Sequence, residues 1–241
     1  MKVLSHTCLL LTLSILIHGQ IAHAQEWQSG EKQAQLVELF TSEGCSSCPP
    51  ADEWLSTLKD DPRLFNGLVP IAFHVDYWDY IGWKDPFASP LHTQRQRAYA
   101  RSGHISQVYT PGFVVNNKEW RQWFYHQRDL PNATKPADEL NASLNDDNIL
   151  SVNFSGEQSN ILHVAYLGMG LTTQVKAGEN RNRKLEHDFV ALKYFTLPGT
   201  QQWSVLLPER PDLGQDKTAL AIWVSDRKSK VVLQAVGGYL N

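Results

Sequence analysis

Cys45 and Cys48 stand three positions apart in TSEGCSSCPPADEWL, residues 41–55, and the remaining cysteine, Cys8, lies near the start of the chain. Thiols at this spacing serve reversible disulfide exchange, ligation of a soft metal ion, or a structural bridge. A bridge across two intervening residues constrains little of the unfolded chain, which weakens the structural use. Structural zinc usually takes four ligands from two clusters, and no second Cys-x-x-Cys or Cys-His pair follows. Exchange chemistry therefore leads, with copper(I), which two thiolates can hold, as the alternative.

The flanking residues place the pair between a strand and a helix. AQLVELFTS, residues 34–42, is apolar and partly alternating, and Glu43-Gly44 ends it. From Ser47 a serine start, prolines in the first turn, early acids and Trp54, Leu55 and Leu58 at helical spacing predict a helix. Free amides and the positive dipole end at a helix N-terminus lower a thiol's pKa below its usual value of about 8.5. On this reading Cys45 is the exposed nucleophile and Cys48 the resolving thiol. Ser46 and Ser47 can hydrogen-bond a thiolate but add no charge.

Further along, GLVPIAFHVDYWDYIGW predicts a strand over about Pro70 to Val75, then a loop carrying Tyr77, Trp78, Tyr80 and Trp83. A helix is expected from Pro90 to Gly103. Val108 to Val115 read as a strand interrupted by Pro111, which suggests an edge or a special turn. His74, Asp76, Asp79 and Asp85 have ligating side chains, but the expectation is no metal, with the acids facing solvent or capping turns. Tyr77, Trp78 and Trp83 are candidate substrate contacts, as are Ser46 and Ser47.

A βα unit with Cys-x-x-Cys at its junction, a second βα unit and Thr110-Pro111 entering a strand resemble the thioredoxin fold. The resemblance implies that Thr110 and a cis Pro111 face the cysteines and present backbone to a substrate. It also aligns Glu38 with a buried acid that assists proton transfer. VELFTSEGCSSCPPAD, FHVDYWDYIGWKDPFASP, RQRAYA and VYTPGFVVN together resemble a secreted bacterial family known as domain of unknown function 1223, over about residues 36–241. That family implies fold and compartment without an established reaction. Gly44, where thioredoxins have tryptophan, and one extra residue before Cys45 are departures.

Residues 129–148 are polar, with a short helix expected around Ala137 to Leu144. From Ile149 six alternating runs predict a small antiparallel β module of sandwich type. Within it AGENRNRKLEH concentrates Glu179, Arg181, Arg183, Lys184, Glu186 and His187. Such a segment is usually a solvated hairpin; the alternative is that it reaches the cysteine domain or a partner. Sequons begin at Asn132, Asn141 and Asn153 and matter only in a eukaryotic secretory pathway, against which the family resemblance argues.

At the N-terminus Lys2, an apolar run over about Thr7 to Ile17 and Ala22-His23-Ala24 fit a cleaved secretory signal, too short to span a bilayer. The remaining 217 residues carry a net charge near −4 and no basic patch, which excludes nucleic acid as an expected partner.

The expected architecture is α/β: signal 1–24, thioredoxin-like domain 34–130, polar connection 131–148, β module 149–241. The expected function is a secreted or periplasmic thiol-disulfide oxidoreductase acting on a protein or small-molecule thiol or disulfide, with no cofactor beyond the redox-active Cys45–Cys48 disulfide. Copper(I) delivery and a non-catalytic interaction module are the alternatives.

Overall fold

Short apolar and alternating runs build the strands that dominate this chain. A computed structural model describes residues 24–131, 135–157 and 159–241. The expected signal up to His23, Cys8 and the sequon at Asn132 lie outside the described residues. In chain order come β1 (Gln25–Gln28), β2 (Gln35–Thr41), α1 (Pro49–Thr57), β3 (Leu68–His74), α2 (Pro90–Arg101), β4 (Gly112–Val115) and β5 (Lys118–Glu119). Then follow β6 (Leu140–Leu144), β7 (Ile149–Phe154), β8 (Asn160–Met169), β9 (Leu171–Gln174), β10 (Lys184–His187), β11 (Val190–Gly199), β12 (Gln202–Leu206), β13 (Lys217–Asp226) and β14 (Val232–Tyr239).

The sheet order overturns the expected α/β fold class. One eight-stranded sheet runs β14-β13-β8-β11-β3-β2-β4-β5, so strands from both halves of the chain share it. A thioredoxin-like domain followed by a separate, smaller β module is therefore not what forms. The join is β11 against β3, parallel, with Val190 opposite Ala72. Two α-helices against fourteen strands make the described chain mostly β. The strands expected after residue 149 do form, but β8, β11, β13 and β14 extend the first sheet instead of closing a module of their own.

The expected helix around Ala137 to Leu144 is also corrected, because Leu140 to Leu144 is strand β6. Leu140, Ala142 and Leu144 are buried while Asn141 and Ser143 face outward by turns, a period of two that only a strand can satisfy. β6 joins the second sheet, β1-β6-β7-β12.

This sheet covers one face of the outer half of the large one. Leu140, Leu150, Val152 and Phe154 meet Leu162, Val164, Ile222 and Val224 there. A separate core, including Leu39, Leu55, Phe73, Phe113 and Trp223, joins the rest of the large sheet to its helices. No helix among the described residues is long and apolar enough to cross a membrane.

Candidate functional site

β2 delivers the chain to the cysteine turn with its face alternation already fixed. Val37, Leu39 and Thr41 point to the α1 side, where Thr41 Oγ1 donates to Asp52 Oδ2 at 2.9 Å. Glu38 and Phe40 point to the α2 side. Ser42, Glu43 and Gly44 then turn the chain, with Cys45 N–H donating to the Ser42 carbonyl at 3.1 Å. Gly44 has a steric reason to lack a side chain: a Cβ there would lie 2.9 Å from Trp78 Cβ.

Cys45 and Cys48 are joined as a disulfide, with their Cα atoms 5.4 Å apart. Cys48 caps α1, and its carbonyl accepts from Ala51 and Asp52 N–H at 2.8 and 3.2 Å. Cys45 is not exposed as expected: it is 1% and Cys48 0% accessible, while Ser46 and Ser47 face solvent. Ser47 Oγ lies 3.4 Å from Cys45 Sγ.

The cover comes from the segment between β9 and β10. Asn180 Nδ2 donates to the Glu43 and Cys45 carbonyls at 2.8 and 3.0 Å. Glu179 Oε2 accepts from Ser46 N–H at 2.9 Å. Of the two readings of this charged segment, contact with the cysteine junction is the one the structure shows. Arg183 supports it by donating to Asn180 Oδ1 at 3.0 Å.

The other expected residues divide. β4 pairs Gly112 with Phe40 and Phe113 with Leu39, which sets Thr110 and Pro111 at the cysteine end of β2. Their peptide bond is cis, and Thr110 Oγ1 accepts from Trp78 Nε1 at 2.8 Å. Trp83 Nε1 donates to Glu43 Oε2 at 2.8 Å, and Tyr77 hydroxyl to Gln96 at 3.1 Å. Trp78 and Trp83 thus adjoin the site.

Glu38 does not adjoin it. It lies on the opposite face of β2, where Arg95 Nε and the Tyr99 hydroxyl both donate to it at 2.5 Å. Ion pairing holds Arg95 well above its ordinary range in spite of burial. Tyr99 is likewise pushed well above the phenol range, chiefly by burial.

A group of buried polar side chains that the sequence analysis did not assemble lies beside the cysteine turn. Asp52 is one helical turn past Cys48, so the two share a face of α1. His74, at the end of β3, places Nδ1 2.7 Å from Asp85 Oδ2, which also accepts from Glu43 N–H at 2.9 Å. His187, at the end of β10, places Nε2 3.2 Å from Glu43 Oε1. Burial raises the Asp52 carboxyl above its usual range, against the pull of His187 and His74. Burial opposes charge on His74 as well, but Asp85, Asp52 and Glu43 overcome it and raise its pKa to about 9.

Of the four residues of the aromatic loop that could bind metal, the His74 and Asp85 side chains meet, and the other two are held elsewhere. Asp76 accepts from Thr93, and Asp79 accepts from Asp85 N–H. A cleft of about 620 Å3 lies elsewhere, lined by Arg95, Tyr99, His163, Tyr194 and Trp223. Chemistry at the cysteines would not use it.

The family described as "Protein of unknown function (DUF1223)" matches residues 36–225, which span β2, the cysteine turn, the Asn180 cover and most of β13. The chain belongs to that family. DUF1223 membership thus includes every site residue named above. No curated protein matches the chain.

Among solved structures, protein AGR_C_4864 from Agrobacterium tumefaciens is similar at 23% identity, TM-score 0.61, over 88% of this chain and 97% of that one. HBP35 of Porphyromonas gingivalis is similar at 13% identity, TM-score 0.50, over 88% and 76%. Both likenesses concern the fold alone.

Proposed function

We propose that this DUF1223 protein is a thiol-disulfide exchange protein of the periplasm or extracellular space, with Cys45–Cys48 as its redox centre. The observation that carries the reading is the placement of the disulfide. It ends on Cys48, the residue that caps α1, with Cys45 in the turn just before it, where the positive end of the helix dipole favours the thiolate released on reduction.

In the reductive direction a partner thiolate attacks Cys45 Sγ, the disulfide breaks, and Cys48 leaves as a thiolate. A second partner thiol then attacks the partner sulfur of the mixed disulfide and frees Cys45. Two electrons pass to the cysteine pair, and the partner leaves as a disulfide. In the opposite direction Cys45 thiolate attacks a partner disulfide and Cys48 resolves the intermediate. Thr110 and Pro111, at the same end of the sheet, supply backbone beside the incoming chain.

Burial of both sulfurs favours one competing reading, a non-exchanging pair in an interaction module. Paired serine variants separate the two. Cys48→Ser, mixed with an oxidised small-molecule or protein disulfide, accumulates a mixed disulfide at Cys45, whereas Cys45→Ser accumulates far less. Equal inertness of both variants in the folded protein would favour the interaction module.

A further inference from the structure

Asp52, His74 and His187 come from α1, β3 and β10, and one ligand atom of each lies within 4.8 Å of the others. All three side chains are buried, at 5%, 0% and 2% exposure. Each has one enclosed polar atom without a hydrogen-bond partner: Asp52 Oδ1, His74 Nε2 and His187 Nδ1. An enclosed polar atom left unpaired is costly, and three of them on side chains that converge point to a common partner.

The opposite atoms of the same side chains are all held. Asp52 Oδ2 accepts from Thr41, His74 Nδ1 pairs with Asp85, and His187 Nε2 pairs with Glu43. A carboxylate behind each imidazole is the arrangement that orients metal-binding histidines and strengthens them as ligands. Glu43 is itself fixed by Trp83 Nε1, and Asp85 by the backbone N–H groups of Glu43 and Phe87. Three buried carboxylates, Glu43, Asp52 and Asp85, surround two imidazoles, and this balance favours a cation among them.

We propose that Asp52, His74 and His187 bind one divalent transition-metal ion of the zinc class, with Asp85 and Glu43 as the residues that position the two histidines. Two imidazoles and one carboxylate suit zinc, and three protein ligands leave a fourth tetrahedral position for water. Bonds of about 2.1 Å bring tetrahedral ligand atoms to roughly 3.4 Å from one another, so the side chains close by about an ångström on binding. The ion would tie β3 and β10 to the first turns of α1, the helix that carries the disulfide. The site departs from the expectation of no metal because its ligands are scattered over more than a hundred positions of the chain.

The test uses the disulfide form of the protein, so that thiolates cannot contribute, after chelator treatment and titration with cobalt(II). The expected result is one ion per chain with the visible absorption of a four-coordinate site, displaced by zinc(II). Asp52→Asn and His187→Gln each weaken binding at least tenfold. Glu43→Gln, which removes no ligand, weakens it by roughly 10- to 100-fold. Should His187→Gln not fold, Asp52→Asn and Glu43→Gln decide alone. Absence of saturable binding in the wild-type protein, or binding unchanged in the folded variants, would overturn the proposal. Neither outcome depends on whether the cysteines exchange.

Discussion

Arg95 lies within 5.1–5.4 Å of the ring centres of Phe73, Tyr99, Tyr194 and Trp223, with Glu38 as its carboxylate partner. Removing one member of a buried pair leaves an unpaired charge, so Glu38→Ala is expected to cost about 3–5 kcal/mol in denaturant unfolding. Because Glu38 points away from α1, Glu38→Gln should leave the potential of the cysteine pair unchanged. A shift beyond about 30 mV, equivalent to about 1.4 kcal/mol, would restore a proton-transfer role. Sequence alignment could place Glu38 in the sheet but not choose its partner, since Arg95 lies 57 positions away.

His163, whose ring lies parallel to those of Tyr194 and Trp223, gives a pH prediction at the same scale. Burial, then Arg95 and Lys230, hold its pKa well below the usual 6.5. Its Nδ1 and Nε2 lie 2.8 Å from the Tyr194 and Ser225 hydroxyls. The neutral ring therefore contributes stability that is complete above about pH 6.5 and falls as pH drops below it. Wild type should lose about 1 kcal/mol more than His163→Gln between about pH 6.5 and pH 5.5 in urea unfolding. Parallel losses would contradict this.

At the scale of elements, strand boundaries around the cysteines were legible because β2 and β3 are short apolar runs and prolines mark the starts of α1 and α2. The segment between β9 and β10 was not. Its charges suit a solvated hairpin, and only tertiary contact shows Asn180 bonded to two carbonyls of the cysteine turn. Six of the eight strands from residue 149 onward were readable from alternation, whereas their sheet was not, because a period of two identifies faces and not neighbours.

The Asn180 contact makes this segment a cover. Asn180→Ala removes two hydrogen bonds and leaves the carbonyls unpaired, a loss of about 1–3 kcal/mol. With the pair reduced, alkylation of Cys45 should accelerate on the order of tenfold. An unchanged rate would mean that access to the sulfur opens elsewhere.

For the whole molecule, the consequence of a shared sheet is that the chain before residue 149 is not self-sufficient. Residues 25–148 alone lack β11, which flanks β3, and β8, β13 and β14 beyond it. They also lose Trp223 and Val190 from the core that includes Leu39 and Phe73. That fragment should show no cooperative unfolding transition, and a sharp one would support two independent units. The division into domains looked plausible in the sequence because composition changes near residue 149, yet the pairing of β11 with β3 crosses that boundary.

The central claim is that Cys45–Cys48 cycles between disulfide and dithiol in the folded protein, and thiol titration across graded glutathione buffers tests it most directly. A reversible two-electron transition between roughly −120 and −270 mV is the predicted result, and its midpoint would give the direction in which the protein drives its partners. A pair that stays oxidised throughout that range, or that cannot be reoxidised after reduction, would contradict the account and leave the disulfide a structural bridge.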